Sequence, residues 1–468
     1  MLPTPLNLWG RSELPSKFDL LRQTYDISTN GFLPNEIPLA RLPDPFYTPW
    51  EDVMLRLPEL LNRRMIRQSI EGLDVLSTER LRTEEEWRRA YVILSFLAHG
   101  YIWGGDMASE VLPPAISVPY LSVSKHLQLP PVATYAALNL WNFTTTSGGS
   151  TSFSDLDNLK ALHTFSGTED ESWFYCLSAA MECQGAQIIP VMLDALESIP
   201  RCDYALIADS LDELSVCIEK MGGLLERMHE KCDPMVFYHQ IRPYLAGSKG
   251  VEHAGLPNGV FYDVGNGKGN WMQLRGGSNG QSSLIQFLDV ILGVVHASPA
   301  NGSGHEHGNG NGNAVGQSDC DVSTSTGMER KQAGSFHTEV RSYMPEPHRR
   351  FLEHVSRMDS LKDLARQPAT SDKQRRMQRS FQAATTALAE FRSKHMQIVT
   401  RYIVVPSRRR ERGDTAVRNL ASASLCAPTS QKQTSGLTGT GGTDLIPFLR
   451  QTREETLLAG RIPAEAVR

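Results

Sequence analysis

A few stretches of this chain carry residue types whose spacing could do chemistry. The run Phe391-Arg-Ser-Lys-His-Met-Gln-Ile-Val-Thr-Arg-Tyr402 sets His395 in an apolar helical pattern, with Arg392 three residues earlier on the same face. Such an imidazole can ligate a metal, although a lone helical His is more often a core or surface residue. Arg275-Gly-Gly-Ser-Asn-Gly-Gln-Ser-Ser283 is a glycine-rich loop running into an apolar helix. Its N–H groups and the helix N-terminus could hold a carboxylate; the alternative is a turn with a serine N-cap. Leu437-Thr-Gly-Thr-Gly-Gly-Thr443 is a second glycine loop, either a flap over a ligand or the cap of a helix at 444–458. In Ser172-Trp-Phe-Tyr-Cys-Leu-Ser-Ala-Ala-Met-Glu182, Phe174 and Ser178 share a face, as core stripe or pocket wall. There is no GxSxG elbow, Walker loop, HExxH or dinucleotide fingerprint.

Elements must position these residues. Apolar spacing predicts helices at 52–67, at 84–99 with Trp87, Tyr91, Leu94 and Leu97, and at 132–141 after Pro130-Pro131. Others are predicted at 172–184, 190–199, 204–229, 234–242 and 282–296, and long alternating strand patterns are absent. The fold class is therefore mostly α. Proline and aromatics crowd the first fifty residues, as in Leu42-Pro-Asp-Pro-Phe-Tyr-Thr-Pro-Trp50, which reads as an irregular arm packed on a domain. The small polar residues at 142–152 read as a junction, giving a small, mainly helical N-terminal domain (1–152) and a large helical domain (153–468). Gly, Asn, Ser and His dominate 299–333, an expected disordered insertion, and 407–436 is an irregular segment. His305 and His307 fall in the first, a tract more often a plain flexible loop than a metal site.

Composition narrows the class. At 468 residues the chain exceeds what one core normally serves, and 40% hydrophobic with 21% charged residues suits a soluble globular protein. A net charge of −5 gives no reason to expect nucleic acid or an anionic membrane. The basic run Arg408, Arg409, Arg410, Arg412 sits beside Glu411, Gly413 and Asp414 and reads as a solvated loop. The start lacks a basic, apolar leader, and the apolar stretch 284–296 is broken by Gln286 and Asp289 and too short to cross a bilayer. Seven cysteines without a CxxC pair predict reduced thiols, and with them a cytoplasmic location.

Taken together, these segments resemble the indoleamine 2,3-dioxygenase family. The matching blocks are Phe96-Leu-Ala-His-Gly-Tyr-Ile-Trp103, Leu129-Pro-Pro-Val-Ala-Thr-Tyr-Ala136, Asp233-Pro-Met-Val-Phe-Tyr-His-Gln-Ile-Arg242 and Gly276-Gly-Ser-Asn-Gly-Gln-Ser-Ser283. Arg341-Ser-Tyr-Met-Pro-Glu-Pro-His-Arg-Arg-Phe351, His395-Met-Gln-Ile-Val-Thr-Arg-Tyr402 and Gly439-Thr-Gly-Gly-Thr-Asp444 follow in order. The resemblance covers about 40–458, apart from the two low-complexity insertions.

The resemblance implies a large all-helical domain holding haem b, ferrous when active, beside the smaller N-terminal domain. It makes His395 the iron ligand, with Arg392 at a haem propionate and Asp289 paired to that arginine. It places Tyr135, Phe174, Ser178, Phe237, Tyr238 and Arg242 on the distal side, with the aromatics around an indole and Arg242 on the substrate carboxylate. Thr440 matches the loop over the substrate's ammonium end, and Gly277 and Ser278 the loop edging the pocket. Ser178 would tune hydrogen bonding near the bound ligand without being an obligatory base. The implied reaction takes L-tryptophan and O2 to N-formylkynurenine, the first step of the kynurenine pathway, in a monomer served by an electron donor for haem reduction. Two positions depart from the pattern: Tyr238 stands where phenylalanine occurs in well-known members, and Pro243 directly follows Arg242, which predicts a kink. Two rival readings are a haem-binding sensor or carrier with little turnover, and a non-haem helical scaffold with His395 in its core. The first needs only His395 and a pocket, so Arg242, Phe174, Phe237 and Thr440 count against it.

Overall fold

The helix Glu84–Trp103 shows how this chain builds its interior. Thr83 caps it by accepting from the Glu86 N–H, three acidic residues fill its first turn, and nearly every residue from Ala90 on is buried. A helix apolar all round must lie inside, and this one is packed on by helices from both sides of the chain. The structure, a computed structural model, describes residues 17–146, 153–296, 336–408, 439 and 445–462.

Helices dominate as the sequence pattern predicts. Asp372–Val399 and Tyr204–Glu226 run against each other along their lengths, capped by Ser371 and Asp203, and Leu445–Ala459 packs on the first. Glu169–Gln184, capped by Thr168, continues after a short turn into Ile188–Glu197. This stretch is long and apolar enough to cross a bilayer, but its apolar surface is spent inward, with 72% of the most apolar window buried in the protein. One buried apolar cluster extends from Leu21 to Ala459 and includes residues on both sides of position 152.

The structure differs from the sequence pattern in several places. The single helix expected at 52–67 is three short ones, Thr48–Leu55, Leu57–Asn62 and Ile66–Glu71. Pro58 starts the second, and Arg64 at φ 58 ends it. The helix expected at 282–296 stops at Ile291, where Gly293 takes φ 61. The helix expected at 132–141 is one wide turn, Ala136–Leu140. Finally, a small sheet is present: β1 (Val111–Leu112) pairs parallel to β4 (Val260–Gly265), and β4 pairs antiparallel to β5 (Lys268–Met272). The Asn266-Gly267 turn between β4 and β5 has φ 56 and 68, the pair of positive angles a tight hairpin needs. β2 (Phe143–Thr145) begins the segment read as a junction and pairs with β3 (Leu159–Ala161). Residues 299–333 and most of 407–436 lie outside the described residues.

The N-terminal arm is tied in by charge. Buried Arg89 donates to Glu51 (Nε–Oε1 3.1 Å, Nη2–Oε2 2.5 Å) and to His163 Nε2 at 2.6 Å, while Glu51 also accepts the Leu42 N–H. Burial, and then the Arg89 cation, holds His163 below its ordinary pKa, so its ring stays neutral and can accept. Cys176, Cys183, Cys202, Cys217 and Cys232 are free thiols, and burial pushes Cys176 up to about 12.

Candidate active site

His395, near the C-terminal end of the Asp372–Val399 helix, borders two adjoining pockets that also share Tyr135, Met181, Leu225 and Phe448 as walls and so read as two lobes of one cavity. The larger lobe encloses about 1190 Å3 up to its open mouth and the smaller about 800 Å3. Burial, and then the neighbouring Arg392 cation, pulls His395 down to about 4, so the imidazole is neutral at physiological pH. Its nitrogens have no hydrogen-bond partner among the described residues, and no other described histidine borders the cavity. The other buried histidines are committed: His348 bonds Ser283 at 3.0 Å, and His99 bonds the Tyr244 carbonyl at 2.7 Å and accepts from the Ala133 N–H. A neutral, uncommitted imidazole between apolar walls is what a planar metal cofactor needs, so these residues fit haem.

The smaller lobe is edged by a fixed cation. Arg392 Nη2 donates to Asp289 Oδ1 at 2.6 Å, and Nη1 to the Thr452 carbonyl at 3.2 Å and the Thr456 hydroxyl. Asp289 Oδ2 lies 3.1 Å from His296 Nε2, whose Nδ1 lies 2.6 Å from Glu455 Oε2. Burial works against charge on His296, but the two carboxylates outweigh it and hold it above its ordinary pKa. Arg392 reaches the lobe wall, and Asp289 stands behind it.

The larger lobe holds most of the remaining expected residues. Phe174 and Ser178, one turn apart on Glu169–Gln184, both border it. Phe174 meets Phe237 edge to face at 5.0 Å, and Phe237 meets Tyr402 at 5.8 Å. The expected kink before Pro243 takes a definite form: a π-helical turn, Phe237–Ile241, then a 3-10 turn, Arg242–Leu245. This brings Arg242 to the wall while leaving it 5% exposed, and burial pulls its pKa below arginine's ordinary value. An incoming carboxylate would offset that cost. Tyr238 does not reach the cavity; its buried ring lies beside the Arg242 guanidinium, 5.6 Å from centroid to carbon, so it supports the arginine instead of lining the pocket. Consecutive side chains on a helical turn point in different directions, which separates Phe237 from Tyr238.

Gly277 and Ser278 edge the same lobe. A Cβ on Gly277 would lie 2.5 Å from Leu138 Cδ1 and 3.1 Å from the Ala133 carbonyl oxygen, so a larger residue would have to displace the Leu138 side chain. The capping reading of this loop also holds, since Ser282 accepts from the Ile285 N–H at 3.2 Å. Thr440 lies outside the described residues, although Gly439 beside it borders the lobe.

Tyr135 faces both lobes and joins a network that sequence reasoning missed. Its hydroxyl donates to Glu182 Oε1 at 3.0 Å, and Ser282 Oγ donates to the same oxygen at 2.6 Å. Glu182 Oε2 is buried with no partner among the described residues, and burial pushes the carboxyl up to about 7. Glu182 is one turn beyond Ser178, so extending the Phe174–Ser178 stripe would have found it. Folding thus holds a proton that the unfolded chain releases near 4.5, and stability from this group falls as pH rises from there through about 7. Glu182→Gln keeps an acceptor for Tyr135 and Ser282 and removes that dependence. Between about pH 6 and pH 8 the variant should lose about 1–3 kcal/mol less stability than the parent. Melting curves across that range test it, and parallel curves for the two proteins would contradict it.

Among the described residues this mostly helical fold sets one uncommitted imidazole in a two-lobed, largely apolar cavity, an arrangement that could hold a planar cofactor beside an aromatic guest. The sequence profile of the family described as Indoleamine 2,3-dioxygenase matches residues 21–459. The chain is 38% identical to the indoleamine 2,3-dioxygenase of Saccharomyces cerevisiae over 459 residues, covering 95% of this chain and 94% of that protein. It is 37% identical to indoleamine 2,3-dioxygenase nanC of Aspergillus nanangensis (96% and 99% covered). It is 33% identical to 6-hydroxytryptophan 2,3-dioxygenase fscD of Fusarium equiseti (92% and 96% covered). The chain belongs to the indoleamine 2,3-dioxygenase family, whose members are haem-dependent dioxygenases of indole substrates.

Proposed function

We propose that this chain opens the indole ring of L-tryptophan between C2 and C3 with O2, giving N-formylkynurenine as the first step of the kynurenine pathway. The observation that carries this reading is one cavity bordered by both a neutral, uncommitted imidazole (His395) and a buried guanidinium (Arg242), with the Phe174–Phe237 pair on the same wall. His395 would ligate haem b, with Arg392, held by Asp289, at the propionate edge. Bound haem, ferrous when active, supplies the centre at which O2 is activated.

The chain's own residues do the rest. Arg242 pairs with the substrate carboxylate, and its burial strengthens that pairing against competing water. Phe174 and Phe237 hold the indole plane, and Gly277 leaves room for it. Ser178 offers a hydroxyl beside the ring, and Gly439 borders the same lobe. Among the described residues no histidine besides His395 stands at the cavity to act as a base, so the protein's contribution is to hold the reactants together and exclude water. Both oxygen atoms end in the product, so an electron donor is needed only to make the haem ferrous. Free thiols are consistent with the cytoplasm, and a net charge of −5 gives no reason to expect nucleic acid or membrane as partner; the same reading takes the chain as a monomer. The relative named for 6-hydroxytryptophan makes a ring-hydroxylated tryptophan the alternative substrate.

Turnover of L-tryptophan under isotopically heavy O2 tests this reading. The product should carry two heavy oxygen atoms; one heavy atom, or none, would exclude the dioxygenase reaction.

A further inference from the structure

Two asparagines three residues apart in the same segment are treated differently by the fold. Asn142, which does not border the cavity, is fully satisfied: Nδ2 donates to the Leu138 and His163 carbonyls, and Oδ1 accepts the His163 N–H at 2.9 Å. Asn139 borders the larger lobe beside Leu138, in the π-helical turn Ala136–Leu140, and is 5% exposed. Its Nδ2 donates to the Tyr135 carbonyl at 3.1 Å, which fixes the orientation of the amide because only the NH2 end can meet a carbonyl. Its Oδ1 is left buried with no partner among the described residues.

A buried acceptor without a partner costs stability unless something supplies the missing proton donor. The lobe around Asn139 is largely apolar and aromatic, made by Leu138, Phe174, Leu177 and Phe237. A guest that fits it is an aromatic ring with a donor on its edge. We propose that Asn139 is a specificity-determining residue whose side-chain oxygen accepts a hydrogen bond from the edge of the substrate's indole, either from the ring N–H or from a hydroxyl on the six-membered ring. This rests on the reading of the larger lobe as an indole site. A site built around such an acceptor discriminates against an analogue that lacks the donor more strongly than an apolar wall can.

The test compares the parent with Asn139→Leu, which is nearly isosteric and has no polar atom, on four substrates: L-tryptophan, 1-methyl-L-tryptophan, 5-hydroxy-L-tryptophan and 6-hydroxy-L-tryptophan. If the ring N–H is the donor, the parent should prefer L-tryptophan over the 1-methyl compound by about tenfold or more in kcat/KM, and the variant should lose that preference. If a hydroxyl is the donor, the parent should prefer one hydroxytryptophan over L-tryptophan by a similar factor, again lost in the variant. A uniform change on all four substrates, or none, would overturn the proposal and leave Asn139 a packing residue or the host of a trapped water. Dissociation constants of the same compounds for the parent need no variant and give a second readout. Should Asn139→Leu fail to fold, equal affinities across the four in the parent would overturn the proposal. A parent that binds the compounds with these preferences but converts none would refute the proposed reaction while leaving the role of Asn139 standing.

Discussion

Replacing His395 by alanine should abolish stable haem binding: the purified variant, supplemented with haem, is expected to show no protein-bound Soret band where the parent should. The expectation follows from the cavity itself. Among the described residues His395 is the one histidine at its wall, its ring is neutral above about pH 4, and its nitrogens are uncommitted. An incoming metal therefore displaces neither a proton nor an internal hydrogen bond. The other histidines offer no substitute within the described residues, since His348 is packed on Ser283 and Phe32, and His354 is stacked on Tyr25. Alanine in place of His395 enlarges a cavity that already exists, so the fold should persist, and circular dichroism should show an unchanged helical content. A variant that kept a five-coordinate histidine–haem spectrum would place the ligand elsewhere, and the two-lobed cavity would lose its meaning as a haem site.

Arg242→Leu has the second largest expected effect, and its signature is different. Haem binding stays, but kcat/KM for L-tryptophan falls by at least about thirtyfold, because truncating one partner of a buried charge pair costs about 2–5 kcal/mol. The loss belongs to the carboxylate. Tryptamine, which lacks that group, should be handled about equally by parent and variant, however poorly. Leucine should be tolerated structurally, since burial already opposes charge at this position. Steady-state kinetics on both compounds decides the matter. An unchanged kcat/KM for L-tryptophan removes Arg242 from the substrate site, and equal losses on both compounds would mean that it shapes the pocket without reading the carboxylate.

Much of this site was legible before the structure because it rides on long helices. His395 and Arg392 share a face by their three-residue spacing, and Phe174 and Ser178 by four. Period alone could not rank these above ordinary core residues; the ordered blocks of family resemblance did. What stayed hidden depends on departures from regular helix. The wide turns at Ala136–Leu140 and Phe237–Ile241 have no period of their own, yet they set Asn139 and Arg242 on the wall and turn Tyr238 off it. The His296–Glu455 link behind Asp289 joins positions 159 residues apart, beyond the reach of local pattern. The β4–β5 hairpin carried a readable Asn-Gly turn, but the strands around it are short and only partly alternate.

In the proposed reaction one cavity serves both O2 and the indole. The most direct measurement reduces the haem-loaded protein without oxygen, then admits O2 together with L-tryptophan and follows the absorbance of N-formylkynurenine. This product should accumulate in the parent through repeated turnovers, and none should form in His395→Ala. Ferrous protein that binds O2 and slowly autoxidises while L-tryptophan remains intact would contradict it, and would make the chain a haem carrier or sensor built on a dioxygenase fold.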